Sequence, residues 1–205
     1  MEIKNRKTLL LNALHPKDLK ARELCLRLLE KGLEAVNPKA IIEKVFKVSE
    51  GGFSVCGQRF VASKVNRVFV IGAGKASGAM AEALDNVLGE YVNAGFVNIL
   101  KGTKDRYKTR KIELNEAGHP LPNQAGEFGT KRMLSLVSNL KEDDLVICLI
   151  SGGGSALMPL PAQGISLRDK VKLTQLLIKS GATIDEVNVV RKHVSAVKGG
   201  QLAKK

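Results

Sequence analysis

Tryptophan is absent from this chain, and aromatic residues of all kinds make up only 4 % of it. Surfaces that grip single-stranded nucleic acid stack bases on aromatic rings, so the scarcity argues against one despite a basic composition. Cysteine is also sparse: Cys25, Cys56 and Cys148 lie far apart in apolar surroundings. An odd, scattered set fits neither a disulfide framework nor a zinc site and points to a reducing, cytoplasmic setting. With three histidines and no spaced partners among them, metal ligation by histidine is not expected. No apolar run approaches the roughly 18–20 residues of a membrane helix. The opening MEIKNRKTLLLNALHPKD has basic residues and a short LLL but no long apolar region or small-residue cleavage site, so no signal peptide is read. Neither a membrane nor a nucleic acid is an expected partner.

Acidic residues are the other shortage. Asp and Glu total 20 against 33 Lys and Arg, a formal charge of +13. Such an excess suits a phosphorylated or carboxylated small substrate. It equally suits a Lys-rich solvated surface, or a chain whose acidic balance lies in another part. The rest of the composition, 44 % hydrophobic and 26 % charged, is that of a globular protein. A length of 205 residues fits one large domain, or one plus a fragment.

Apolar periodicity predicts an opening helix from Pro16 and Asp18 to Asn37-Pro38, with Leu19, Leu26, Leu28, Leu29, Leu33 and Val36 near helical spacing. A short helix over Ile41 to Phe46 and a hairpin around Gly57 follow. The main fold begins at Arg67. Val68-Phe69-Val70-Ile71 is wholly apolar, as a strand buried on both faces would be, and it leads into a helix from Ala76 to about Leu88. Strands over Gly95–Leu100 and Lys111–Glu116, a helix from about Gln124 to Val137 with Asn123 as its N-cap, and a strong apolar strand over Asp144–Ile150 come next. Helices over Leu167–Lys179 and Ile184 to about Ser195 close the chain. The order is that of an α/β fold with a mostly parallel sheet. Right-handed crossovers would put the glycine-rich turns at one carboxyl edge, where such sheets bind ligands.

Four segments carry chemistry. Gly72-Ala73-Gly74-Lys75-Ala76-Ser77-Gly78 joins a strand to a helix, where amide N–H groups and the helix dipole suit an anion. It lacks the Walker A spacing, and it matches a dinucleotide fingerprint only loosely, with no acid at the end of the second strand. NADP stays open through Lys101, as does a glycine turn serving only close strand–helix packing. Lys75 favours function, because a lysine at a helix start is opposed by the dipole unless an anion lies between. Ser151-Gly152-Gly153-Gly154-Ser155 is the strongest local signal. Ordered glycines are entropically expensive, and a nest of N–H groups flanked by hydroxyls suits phosphate oxygens. His119, in the stiff Gly118-His119-Pro120 loop, is a candidate hydrogen-bond donor or acid–base group, or a tie for its own loop. On the last helix Asn188, Arg191 and Ser195 share one face, Val187, Val190, Val194 and Val197 another, and Lys198-Gly199-Gly200 marks its end. Arg191 suits a carboxylate by a bidentate contact. The basic run Lys101–Lys111 reads as a solvated loop, and Met80, Met133 and Met158 as core filler.

Taken together, GAGKASGAMA, AGHPLPN, SGGGSALMPLP and VNVVRKHVSAVKGG resemble, in order and spacing, the N-terminal part of the glycerate 2-kinase family, the MOFRL-type glycerate kinases, whose members are often labelled hydroxypyruvate reductases. The resemblance runs over nearly the whole chain. It implies a Rossmann-like three-layer α/β sandwich with an N-terminal helical segment: residues 1–62 as helices and a small hairpin, residues 63–205 as the nucleotide- and substrate-binding core. The smaller C-terminal MOFRL-type domain is absent, so the chain is expected to be an N-terminal fragment. The implied activity is transfer of the ATP γ-phosphoryl group to the 2-hydroxyl of D-glycerate with Mg2+ or another divalent cation. Lys75 matches the family's essential lysine and, with Arg191, is the expected catalytic pair. Gly72, Gly74, Ser151, Gly152, Gly153, Gly154 and Ser155 would hold the nucleotide, and His119, Asn188 and Lys198 the acceptor. Metal ligands are not identified. The expected partners are D-glycerate and ATP, with a homodimer or a separately encoded C-terminal half. The competing readings are an NADP-dependent hydroxypyruvate reductase and a non-catalytic nucleotide-binding module.

Overall fold

The computed structural model describes residues 3–204. Met1, Glu2 and Lys205, which fall inside the expected bounds 1–62 and 63–205, lie outside the described residues. In chain order the elements are α1 (Arg6–Leu11), α2 (Pro16–Ala35), α3 (Pro38–Val45), β1 (Phe46–Ser49), β2 (Gly52–Val55), β3 (Gln58–Val61), β4 (Val68–Ala73), α4 (Ser77–Leu88), β5 (Val92–Leu100), β6 (Ile112–Ala117), α5 (Gln124–Leu136), β7 (Leu145–Ile150), α6 (Gly154–Leu157), α7 (Leu167–Lys179) and α8 (Ile184–His193). Strands β6-β5-β4-β7 form one four-stranded sheet in which every neighbour is parallel. Helices α4 and α5 carry the crossovers from β4 to β5 and from β6 to β7, and the loop 101–111 carries that from β5 to β6.

Pleating divides β4 between two cores. Val68 and Val70 join Ala81, Leu84 and Leu88 of α4 on one face. Phe69, Ile71 and Ala73 join Met133 of α5, together with Val137 just beyond it, on the other. All six residues of β4 are buried, as the unbroken apolar run predicts. The equally apolar β7 is different. It is an edge strand, as β6 is on the other side, and its residues Cys148 and Ile150 are exposed. None of the three cysteines is buried; all are free and exposed.

Residues 46–61 form a three-stranded antiparallel meander rather than a lone hairpin, because Phe46 starts β1 instead of ending α3. Phe46, Phe53 and Ile42 of α3 pack in the same core as α4, and Phe53 is stacked on Phe60 at 5.4 Å between ring centres. The apolar stripe of α2 does not become core. Only Leu26 is buried, while Leu19, Leu28, Leu29, Leu33 and Val36 are 41–65 % exposed. Among the described residues no helix is long and apolar enough to cross a membrane.

Acids tie the loops at the sheet's edges. Asp85, buried in α4, accepts the amides of Arg110 and Lys111, Glu82 that of Lys108, and Glu116 those of Thr103 and Lys104. The basic run 101–111 is therefore pinned at its backbone while its lysine and arginine side chains are exposed. Asp144 accepts from Arg67, Asn66 and the Lys141 amide, and the Arg67 guanidinium holds its carboxyl down at about 2.

Two predictions follow from these ties. Asn98, fully buried in β5, donates to the carbonyls of Gly126 (3.0 Å) and Leu157 (2.7 Å) and accepts from Asn115 Nδ2 (2.8 Å). Asn98→Ala removes these three buried hydrogen bonds, so denaturant unfolding is expected to show a loss of about 3 kcal/mol. For Asp144, the depressed carboxyl stabilises the fold above its unfolded pKa near 3.8, and this contribution disappears as pH falls toward 2. Melting curves of Asp144→Asn should lie below wild type at pH 7 and converge on it between pH 4 and 2.

Candidate functional site

Two glycine turns meet at the carboxyl edge of the sheet because β4 and β7 are adjacent and in register, Ala73 opposite Ile150. They interlock through the backbone. The Ser151 amide donates to the Ala73 carbonyl (3.3 Å), the Lys75 amide to the Gly152 carbonyl (2.9 Å) and the Ala76 amide to Ser151 Oγ (3.0 Å). Gly74 is required by this contact, since a Cβ there would lie 2.0 Å from Ser151 Oγ. Gly72, buried in β4, lies against the Leu149 backbone in the same way.

The interlock changes which amides are available. Those of Gly74, Lys75 and Ala76, expected to face an anion, are engaged by Asn98, Gly152 and Ser151 respectively. Those of Gly152 and Gly153, on the second turn, have no acceptor among the described residues. Gly153 adopts φ +88°, a left-handed conformation that a side chain would strain. A Cβ there would sit 3.0 Å from His119 Cδ2, 3.1 Å from His119 Nε2 and 3.2 Å from Lys75 Cγ. Three motifs remote in sequence thus converge on one missing side chain. Asn123 Oδ1 fixes the His119 loop by accepting the amides of Gly118 (2.9 Å) and Gly126 (3.0 Å), the second as the N-cap of α5. The Lys75 ammonium has no hydrogen bond or ion pair among the described residues.

Beside this point lies a cavity of about 590 Å³. The exposed face of β7 (Cys148 and Ile150) lines it with Ser151, Gly153, Gly154 and Ser155 of the second turn, Asn188 and Arg191 of α8, and Lys198. Arg191, Lys192 and Lys198 line it and no Asp or Glu does. Burial disfavours the charge of Arg191 and pushes its pKa down. Lys198 is pushed down to about 8, chiefly by burial and then by Lys170 and Arg191, and its Nζ donates to the Met158 carbonyl at 2.9 Å. Lys75 and His119 do not line the cavity; they border Gly153. Helix α8 ends at His193, so Ser195 does not share a helical face with Asn188 and Arg191. It is buried in a bridge to Pro161, and Lys198-Gly199-Gly200 lies beyond the helix rather than at its end. The Ile184–Ser195 periodicity continued past the true stop because Val194 and Val197 pack inward on the loop as well.

Two residues carried no sequence signal of their own. Ser77, at the first turn of α4, is fully buried and its hydroxyl has no partner. Lys170, an ordinary lysine in an amphipathic helix, is only 4 % exposed. Among the described residues no group of three or more His, Cys, Asp or Glu converges as a metal site would need.

Residues 24–205 match the family model described as Domain of unknown function (DUF4147). The chain is 43 % identical over 183 residues to a glycerate 2-kinase of Pyrococcus horikoshii, covering 89 % of this chain and 40 % of that protein. It is 46 % identical over 139 residues to a putative hydroxypyruvate reductase of Agrobacterium vitis, covering 68 % of this chain and 36 % of that one. Its fold superposes on the crystal structure of a glycerate kinase from Thermotoga maritima with a TM-score of 0.76 and 38 % identity, over 92 % of this chain and 42 % of that one. The chain spans about two-fifths of the length of the curated relatives it matches.

The turn geometry separates two neighbouring glycines. Gly153→Ala should destabilise the chain by about 1–2 kcal/mol, through left-handed strain and crowding against His119. At Gly152 a Cβ meets nothing within 4 Å, so Gly152→Ala is expected to stay within about 0.5 kcal/mol of wild type. Urea midpoints of the two variants compare them directly.

Proposed function

We propose, from the premise that this chain belongs to the DUF4147 family, that it serves the ATP-dependent phosphorylation of D-glycerate to 2-phosphoglycerate. The observation that carries this reading is the convergence of Lys75 and His119 on Gly153, beside a cavity lined by cations and no acid. The names of its relatives supply the substrate, glycerate.

In phosphoryl transfer the bond from the γ-phosphorus to the bridging oxygen breaks, its electron pair leaving with ADP, while one to the acceptor oxygen forms, and the proton of the acceptor hydroxyl is released to solvent. Catalysis is mostly positioning and charge neutralisation. The free amides of Gly152 and Gly153, with the hydroxyls of Ser151 and Ser155, offer donors to phosphate oxygens. The unpaired Lys75 ammonium supplies a cation to the transferring group. Gly72 and Gly74 serve by letting the turns close on each other. Arg191, Asn188 and Lys198 line the cavity and would hold the acceptor carboxylate, and His119, which shares the neighbourhood of Gly153 with Lys75, would bind a hydroxyl. The described residues do not form a carboxylate set for magnesium, and no step is assigned to the metal.

The reductase reading has the names of two relatives and the Gly72-Gly74-Gly78 pattern behind it. Against it stands Gly74, whose need for glycine is met by Ser151 rather than by a dinucleotide.

Calorimetric titration with ATP–magnesium and, separately, NADPH, followed by ADP release with D-glycerate, distinguishes these readings. The kinase reading predicts ATP binding and glycerate-dependent ADP release. ATP binding without turnover would make this a nucleotide-binding chain that a partner completes, and NADPH binding without ATP binding would replace the kinase by the reductase. Lys75→Met should melt with wild type, because Lys75 is exposed and unpartnered, yet lose about 100-fold or more in turnover.

A further inference from the structure

Lysine is the residue least often buried without a partner, and Lys170 is an exception. It sits in the first turns of α7 at 4 % exposure, with its Nζ donating to the Val194 carbonyl at 3.1 Å. No carboxylate pairs with it among the described residues. Its nearest charged neighbours are cations. Arg191 of α8 and Lys198 of the following loop repel one another and Lys170, and burial together with Arg191 lowers Lys170 to about 8. Of the other charges on these elements, Asp169 is held in the Ser166 capping box and Glu186 in that of Thr183, Asp185 lies at the start of α8, Arg168, Lys172, Lys179 and His193 are exposed, and Lys192, also exposed, lines the cavity with Arg191 and Lys198.

The hydrogen bond does not explain the burial. The Val194 carbonyl already accepts the Ala162 amide at 3.2 Å, so it is satisfied without Lys170. A buried cation that neither pairs with an acid nor rescues an orphaned carbonyl only destabilises the folded chain. Such a charge makes sense if its partner comes from outside, and its cationic neighbours Arg191 and Lys198 both line the cavity beside the second turn.

We propose that Lys170 is a positioning residue, which holds a buried positive charge behind Arg191 and Lys198 and makes their cavity a receptor for an oxyanion, a carboxylate or a phosphate, and not for a neutral polyol. The proposal deepens the reading of the cavity given above but does not rest on phosphoryl transfer, so it can fail while the kinase reading stands. Two opposite pH dependences follow. An oxyanion binds best while both lysines are protonated, so affinity falls as pH rises through about 8. Stability of the ligand-free chain does the reverse. The unfolded lysines keep their protons up to about 10.5, so between pH 8 and 10.5 the unfolded state binds more protons and the fold gains stability as pH rises.

The test uses the whole chain, without nucleotide, as wild type, Lys170→Met and Lys170→Arg. Inorganic phosphate, D-glycerate and glycerol are titrated calorimetrically from pH 7 to pH 9, and ligand-free melting is followed over the same range. Wild type should bind D-glycerate or phosphate and not glycerol, and which of the two binds identifies the oxyanion's source. Lys170→Met should weaken that binding by about tenfold or more at pH 7, flatten its pH dependence, and melt higher than wild type at pH 7, with the gap closing toward pH 9. Lys170→Arg should restore binding at pH 7 and lose less of it by pH 9. Binding of glycerol as strong as that of the anions overturns the proposal, as does anion binding unchanged in Lys170→Met. A Lys170→Met chain less stable than wild type at pH 7, or unfolded, makes the lysine a structural strut and overturns it as well.

Discussion

The contact between two turns, where Gly74 closes on Ser151, is the constraint on which the rest of the site depends. It exists because β4 and β7 are neighbours in register and both end at the same level. The second turn takes up the amides of Lys75 and Ala76 through the Gly152 carbonyl and the Ser151 hydroxyl. This leaves the Lys75 side chain projecting without a partner and exposes the Gly152 and Gly153 amides. A strand–turn–helix unit of this kind normally offers its own helix start to an anion. Here the amides of the first turn are taken up by its neighbours, and those of Gly152 and Gly153 on the second have no acceptor among the described residues.

The shortage of acids has a spatial meaning. Several carboxylates with clear structural work fasten loops at the sheet's edges: Glu82 and Asp85 hold residues 108–111, Glu116 holds Thr103 and Lys104, and Asp144 holds Arg67. None of the cavity-lining residues is acidic. The positive field around Arg191, Lys198 and Lys170 therefore meets no acid among the residues lining the cavity, where the oxyanion proposed above would enter. In a medium less polar than water, such a field acts strongly on a bound anion.

How much of this was legible in the sequence differs by element. The α/β order, the buried β4, the Asn123 cap and the four motifs could all be read, because each rests on local periodicity or turn chemistry. Helix α2 could be placed but its surroundings could not, since an apolar stripe predicts a buried face only if something packs against it. β7 read as wholly apolar, yet Cys148 and Ile150 face a cavity, because apolar content does not distinguish a central strand from an edge strand. Ser195 was assigned to a helical face that ends two residues before it, since Val194 and Val197 continue the apolar spacing after the backbone has left the helix.

The chain's own sequence determined which groups are available: two glycine turns after buried strands, a lysine at a helix start, a histidine in a stiff loop and an arginine on an amphipathic helix. These are properties of neighbouring residues, and local sterics and periodicity suffice to read them. Only the tertiary structure decided which groups meet. It brought Lys75, His119 and Gly153 together, moved the free amides from the first turn to the second, and buried Lys170 beside Arg191 and Lys198. Such contacts depend on strand order and on which helix covers which face. A lysine in a helix carries no local mark of the charge that a distant segment will place beside it.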